Sequence, residues 1–260
     1  MSYHISFKYF NVNLNIDPTA FKIGGFDIEW YGLIVAVAFF VAGILVFSEN
    51  KKAKNKIDEE QLAEIITTVY FSGIIGARIY YIIFYPDKFY FENFLNIFRI
   101  RSGGMAIYGS ILAGIAAVFF VCKFKNLDFK NVLNLFSSGV ILAQSIGRWG
   151  NFFNQEAFGS PTSSLFGMAS EATDFIPVHP CFLYESFWCL IGFLLIKNIK
   201  SKFYFYLIWY SIGRFFIEFL RSDSLLIPNT QIKISQFISI LLLLLCLIFK
   251  FKKHLIKSKE

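Results

Sequence analysis

The chain has 260 residues, 56% of them apolar and 20% aromatic, with 25 lysines and arginines against 18 aspartates and glutamates. That composition excludes an ordinary soluble domain and points to several membrane spans. The net charge of +7 would suit a nucleic-acid binder, but the basic residues stand between apolar runs, so membrane topology explains them and no nucleic-acid partner is expected.

The first 29 residues lack a basic flank followed by an apolar core and do not read as a cleavable signal peptide. From Trp30 onward, seven segments read as membrane helices: 30–47, 62–83, 105–122, 132–149, 180–196, 203–220 and 234–249. Most approach the ~20 residues that cross a bilayer, and the fifth is short. The expected fold is all-α, a single integral-membrane domain over 1–260 with an extracytoplasmic cap segment at 151–181. That segment contains no lysine or arginine.

Lysine and arginine set the orientation. The loops and tail after spans 1, 3, 5 and 7 hold fifteen, from Lys51 to Lys259, and the alternate segments hold seven, including Lys88, Arg99 and Arg101. The richer side is cytoplasmic, which puts the N-terminus outside and the C-terminus inside.

Three basic residues remain within spans: Arg78, Arg148 and Arg214. Each costs about 2.5–3.5 kcal/mol to insert and calls for a partner or a polar cavity. All three fall in the outer halves of spans 2, 4 and 6. Tyr31, Tyr108, and Tyr184 with Glu185 stand in the first turns of spans 1, 3 and 5. Polar groups gathered at one depth favour a shared polar site at the outer leaflet over independent interface anchors.

Local spacing sharpens this. In "YSIGRFFIEFLRSD", Arg214, Glu218 and Arg221 recur at i, i+4 and i+7, one charged stripe on an apolar helix. Glu218 can pair with either arginine and leave the other for a ligand, or the stripe is a self-satisfied ion pair. In "GRWGNFFNQEAFG", Arg148, Asn151 and Asn154 recur every three residues, and Gly147, Gly150 and Gly159 allow close approach or a break. A helix end that unravels there would bring Glu156 back toward the arginines. In "SGIIGARIYYIIFY", Gly73 and Gly76 suit tight helix packing. Gly103 and Gly104 precede span 3, where a loop returning into the membrane and a plain flexible connection are both open. Residues 80, 81, 84 and 85 read as an interfacial aromatic belt.

The three histidines are far apart, and the four cysteines form no CxxC pair, so neither a metal site nor a disulfide framework is implied. His179 in "HPCFLYE" reads as a turn or cap residue that titrates near neutral pH. Guanidinium groups out of water match phosphate oxygens bidentately, and phospholipids are the membrane's own phosphate carriers. The chemistry therefore allows a lipid transferase, a lipid flippase or an anion channel.

"GRWGNFFNQEAFG" resembles the signature of the bacterial prolipoprotein diacylglyceryl transferases, G-R-x-G-N-F-x-N-x-E followed by a glycine three residues on. Gly147, Arg148, Gly150, Asn151, Phe152, Asn154, Glu156 and Gly159 fit it. "HPCFLYE", "YSIGRFFIEFLRSD", "EWYG" at 29–32 and "GGMAIYGS" at 103–110 resemble further segments of that family, so the likeness covers nearly the whole chain. The resemblance implies transfer of the diacylglyceryl group of phosphatidylglycerol to the lipobox cysteine of a preprolipoprotein signal peptide, in the bacterial cytoplasmic (inner) membrane. It implies no cofactor. In that light Arg148 and Arg214 would hold the phosphate, and Asn151 and Asn154 would orient the headgroup. Glu156 and Glu218 would position the arginines or bind glycerol hydroxyls. Tyr31, Arg78, Gly159, His179, Tyr184, Glu185 and Arg221 complete the expected substrate site.

Some members of that family carry a histidine, proposed as the base, where this chain has Tyr108. An unperturbed tyrosine titrates near ~10 and is a poor base at neutral pH, so the base is unassigned. The rival readings are a seven-span organic-anion or lipid transporter and a seven-span receptor. Little polar content in the inner halves beyond Thr67 and Thr68, and no pair of similar halves, speak against a transporter.

Overall fold

No water is available in a bilayer to satisfy peptide groups, so long apolar runs must form helices. The computed structural model describes residues 2–84, 104–228 and 230–257, with backbone alone from 249. Among the described residues the chain forms seven α-helices: α1 (Trp30–Lys52), α2 (Glu59–Phe84), α3 (Ile107–Phe124), α4 (Phe129–Asn154), α5 (Cys181–Ile196), α6 (Lys202–Leu220) and α7 (Ile234–Lys257). Each overlaps a predicted span, with α3 beginning two residues and α5 one residue later than expected. By length and composition α1, α2 and α3 are each able to cross a membrane, while α5 and the Ile234–Ile248 part of α7 are shorter apolar helices. The protein is mostly helical and belongs in a membrane.

Several helices run past their expected ends because polar residues cap them. The carboxylate of Asp58 accepts hydrogen bonds from the amides of Glu60 and Gln61 at the start of α2. Asp128 accepts those of Lys130 and Asn131 at the start of α4. Both satisfy amides that a helix start leaves unpaired. α4 also continues five residues beyond 149. Gly147 and Gly150 do not break it, and the ring of Tyr31 sits where a Cβ at Gly150 would stand.

The chain divides into two compact units, one of residues 1–46 and 136–260, the other of 47–135. In the second, α2 and α3 pack closely through glycine. A Cβ on Gly76 would collide with Ala113 and the Gly109 carbonyl, and one on Gly109 would collide with the Gly76 carbonyl and Tyr80. The expected small-residue packing face is therefore present. Gly104 has a φ of 76°, and its carbonyl accepts a hydrogen bond from Arg78 Nη1 at 3.0 Å. The loop carrying Lys88, Arg99, Arg101 and Gly103, and Tyr85 of the aromatic belt, lie outside the described residues.

In the first unit, α5 and α6 lock through a reciprocal pair. The Trp188 and Trp209 indoles stack with centroids 4.4 Å apart, and each N–H donates to the other's backbone carbonyl at 2.8 and 2.9 Å. Gly192 and Gly213 leave room for these rings. Ser145 and Ser186 exchange hydroxyl-to-carbonyl bonds of 2.9 and 2.8 Å between α4 and α5. Small polar residues of this kind let helices approach in a lipid environment.

The structure adds strands that the sequence reading left unassigned. β1 (Tyr3–Phe7) pairs antiparallel with β2 (Val12–Ile16), and β3 (Thr19–Ile23) with β4 (Phe26–Glu29). β1 also bridges at Ser6 to Ala169. Ile5 is buried in a small core with Phe152, Met168 and Phe182. The first hairpin and the segment after α4 thus fold together over the ends of α4 and α5.

Replacing Gly76 with valine is expected to lower stability by about 1–3 kcal/mol, the usual cost of overpacking. Gly43→Ala, where nothing stands within 4 Å, should be neutral or stabilising. Thermal unfolding of the detergent-solubilised protein checks the pair, and equal midpoints would contradict the close α2–α3 packing.

Candidate active site

Glu185 lies in the second turn of α5 and is buried. Three arginines from different places in the chain converge on it. Arg148 Nη2 of α4 is 2.6 Å from Oε2, Arg214 Nη1 of α6 is 2.5 Å from Oε1, and Arg221 Nη1, just beyond α6, is 3.7 Å from Oε1. The helical i,i+4 spacing brings Arg214 Nη2 within 2.7 Å of Glu218 Oε2. That contact is an ion pair outside hydrogen-bond geometry. Arg214 also donates to Ser235 of α7 at 3.2 Å. Arg221 makes a bidentate pair with Asp223, at 2.9 and 2.7 Å. Three arginines thus face three carboxylates, Glu185, Glu218 and Asp223, and the charges cancel. Buried charges are tolerated only when paired in this way.

The motif from Gly147 to Gly159 supplies the other wall. Arg148 Nη1 donates to Asn151 Oδ1 at 3.4 Å, and Asn151 Nδ2 donates to Glu156 Oε1 at 2.7 Å. Glu156 therefore reaches the arginines through Asn151. Asn154 closes the last turn of α4, and the chain unwinds there with Gln155 and Ala157 at φ of 50° and 60°. Gly159 then donates to the His179 carbonyl at 2.9 Å and bridges to Arg221. A Cβ on Gly159 would strike the His179 side chain and the Leu220 carbonyl. Only glycine fits at that crossing of three segments.

His179 Nδ1 lies 3.2 Å from the Tyr184 hydroxyl. Burial lowers the pKa of His179 below the ordinary imidazole value. The neutral ring's contribution to stability is thus complete above the ordinary pKa and is lost as pH falls below it. For Arg221 burial opposes the charge, but the hydrogen bonds of Asp223 and the charges of Asp223, Glu185 and Glu218 prevail and hold its pKa above the usual guanidinium range.

The structure thus brings together Arg148, Arg214, Arg221, Glu185, Glu218, Asn151 and Glu156, with Gly159, His179 and Tyr184 beside the start of α5 and Tyr31 against Gly150. Arg78 and Tyr108 belong to the other compact unit. There Arg78 is buried and bonded to Gly104, and the ring of Tyr108 lies beside that of Tyr80. Among the described residues no group of histidines, cysteines and carboxylates has metal-binding geometry. Sequence reasoning did not single out three participants. Asp223 ends the quoted "RSD" and clamps Arg221. Ser235 contacts Arg214, and Lys233 donates to the carbonyls of Glu218 and Arg221 at 2.6 and 2.8 Å. Nothing local in the sequence marks a lysine that serves backbone carbonyls.

These features define a helical membrane protein with a buried arginine–carboxylate network. The chain belongs to the prolipoprotein diacylglyceryl transferase family, whose model matches residues 18–251. It is 40% identical over 254 residues to a phosphatidylglycerol–prolipoprotein diacylglyceryl transferase of Staphylococcus haemolyticus (strain JCSC1435), covering 92% of this chain and 88% of the relative. It is 41% identical over 245 residues to the protein of that name from Staphylococcus aureus (strain MSSA476), covering 88% and 86%.

Glu185→Ala would leave buried guanidinium groups short of a counter-charge and should cost on the order of 3–5 kcal/mol. Asp223→Ala, on a half-exposed carboxylate that pairs one arginine, should cost less. Thermal midpoints of the two variants decide the ranking, and the reverse order would remove Glu185 from the centre of the network.

Proposed function

We propose that this protein transfers the diacylglyceryl group of phosphatidylglycerol to the lipobox cysteine of preprolipoproteins. The thiolate sulfur attacks the glycerol carbon that bears the phosphate. A carbon–sulfur bond forms, the carbon–oxygen bond breaks, and glycerol phosphate leaves with the electron pair. The nucleophile belongs to the substrate, so the four buried cysteines of the chain need no part in the reaction.

The observation that carries the site assignment is the unequal exposure of the arginines. The side chain of Arg148 is 25% exposed, against 13% for Arg214 and 12% for Arg221. Arg148 can thus meet a phosphate while Glu185 and Asn151 fix its plane. Arg214, held by Glu185 and Glu218, supplies fixed charge behind it. The leaving phosphate gains negative charge as the carbon–oxygen bond breaks. A preorganised positive group aimed at that charge favours the transition state over the ground state. Asn151 and Asn154 orient the headgroup, and Glu156 braces Asn151 or receives a glycerol hydroxyl. His179, Tyr184, Tyr31 and Gly159 shape the entrance beside them.

The lysine and arginine distribution supports seven spans with the N-terminus outside. In that topology α4 and α6 run outward, the network lies near the outer leaflet, and the first hairpin with residues 155–180 is an extracytoplasmic cap. A lipid headgroup in the outer leaflet then meets these residues without leaving the bilayer.

Intact mass of a lipobox peptide, taken after incubation with the purified protein and phosphatidylglycerol, tests the reaction. A gain of one diacylglyceryl group is expected, absent when the peptide cysteine is serine. No gain from folded, lipid-binding protein would favour transport instead. Arg148→Lys should fold normally yet lose most of the transfer, because lysine cannot offer a bidentate fork. Near-normal turnover by that variant would refute the phosphate role.

A further inference from the structure

A helix ends with backbone carbonyls that no amide of its own reaches. α6 ends at Leu220, and Arg221 leaves it in an extended conformation, with φ of −73° and ψ of 134°. Carbonyls at such an end need donors from elsewhere. The Ser160 amide donates to the Leu220 carbonyl at 2.7 Å. The ammonium of Lys233 serves two more, the Glu218 carbonyl at 2.6 Å and the Arg221 carbonyl at 2.8 Å. Both acceptors are backbone carbonyls rather than carboxylates. A cation placed there also meets the negative end of the helix dipole.

The two residues so held carry side chains of the network. Glu218 pairs with Arg214, and Arg221 reaches Glu185 and Asp223. One ammonium therefore spans the backbone of both. Its own place is fixed in turn. Lys233 bridges to Leu226, and the amide of Ile234 donates to the Leu225 carbonyl at 2.9 Å. The residues that follow reach the same helix. Ser235 accepts from Arg214 Nη2 at 3.2 Å, and Gln236 Nε2 donates to the Phe215 carbonyl at 3.3 Å. The entry to α7 thus grips α6 along the stretch that carries Arg214, Glu218 and Arg221.

We propose that Lys233 is a positioning residue for the transfer reaction, an inference that rests on the phosphate-handling role given above to the arginines. By holding the carbonyls of Glu218 and Arg221, the ammonium sets where their side chains leave the end of α6. Glu218 then holds Arg214. Arg214 and Arg221 fix Glu185, and Glu185 orients Arg148. Lys233 acts through these side chains rather than on either substrate. Its loss should slow the chemical step more than it weakens lipid binding, because the charge that meets the leaving phosphate is then misaligned.

Lys233→Met keeps the reach of the side chain and removes every donor, while Lys233→Arg keeps charge and donors. Transfer to a lipobox peptide is followed across phosphatidylglycerol concentrations, per mole of folded protein and well below the thermal midpoints. Lys233→Met should lower kcat by roughly 10- to 100-fold, the scale of a misplaced catalytic constellation. Its KM for the lipid should stay within about threefold of the unsubstituted value. Lys233→Arg should recover most of the lost turnover. Lys22→Met, which removes an exposed lysine paired with Asp27, should leave turnover unchanged. Full kcat in Lys233→Met would overturn the proposal. So would a loss confined to KM, a loss that arginine does not recover, or an equal loss in Lys22→Met. Should Lys233→Met fail to fold, Lys233→Gln, which can still serve one carbonyl, gives the same reading.

Absence of transfer by the unsubstituted chain would refute the function instead. The positioning role is then judged from the nitrogen-15 resonances of the guanidinium groups. Those of Arg214 and Arg221 should shift in Lys233→Met, with Arg78, in the other compact unit, as the unmoved reference. Unmoved signals from Arg214 and Arg221 would overturn the role of Lys233.

Discussion

A buried carboxylate surrounded by guanidinium groups constrains everything near it. Desolvating either charge alone costs several kcal/mol, so neither Glu185 nor the arginines can occupy their positions without the other. The ligands of Glu185 come from α4, α6 and the turn after α6. Satisfying one carboxylate therefore fixes the relative placement of those segments and α5. Arg214 extends the constraint to α7 through Ser235. The Trp188–Trp209 and Ser145–Ser186 pairs lie on the same helices and hold their backbones close enough for the short side chain of Glu185 to be reached.

The network is neutral as built, and this shapes how it can act. An excess of positive charge would bind phosphate tightly before and after reaction. A compensated set offers one partly open guanidinium, oriented from behind, and keeps the remainder in place. Around this set, Gly159, His179 and Arg221 cross so closely that a single methyl group would disturb them. The first hairpin and the segment after α4 belong to the same compact unit. The polar motif thus lies at the ends of α4 and α5, where the irregular backbone after α4 is tied down by β1.

Much of this was legible in the sequence, for identifiable reasons. Long apolar runs in a membrane protein favour helices, so the helices predicted at 62–83, 105–122 and 203–220 followed from length and hydropathy, the second of them beginning two residues late, at Ile107. The i,i+4 pairing of Arg214 with Glu218 followed from helix geometry. The role of Glu185 did not, because its partners lie 37, 29 and 36 residues away and only tertiary packing joins them. The two hairpins escaped notice as well. Gly24–Gly25 between alternating residues is a hairpin signal, but the strands are four or five residues long and carry no buried stripe of their own. Of the two roles open to the glycines near the end of α4, Gly150 takes close approach, with the Tyr31 ring where a Cβ would stand, and the helix unwinds only after Asn154. Asp223, Ser235 and Lys233 each serve a partner that only the fold brings near.

The central claim is that Arg148, aligned by Glu185, meets the lipid phosphate. Solid-state distance measurements between the phosphorus of bound phosphatidylglycerol and nitrogen-15 in the arginine guanidinium groups test it most directly. The account predicts short phosphorus–nitrogen contacts that disappear in Arg148→Lys and weaken in Glu185→Gln. Contacts that survive the loss of Arg148 unchanged would place the phosphate elsewhere and contradict it.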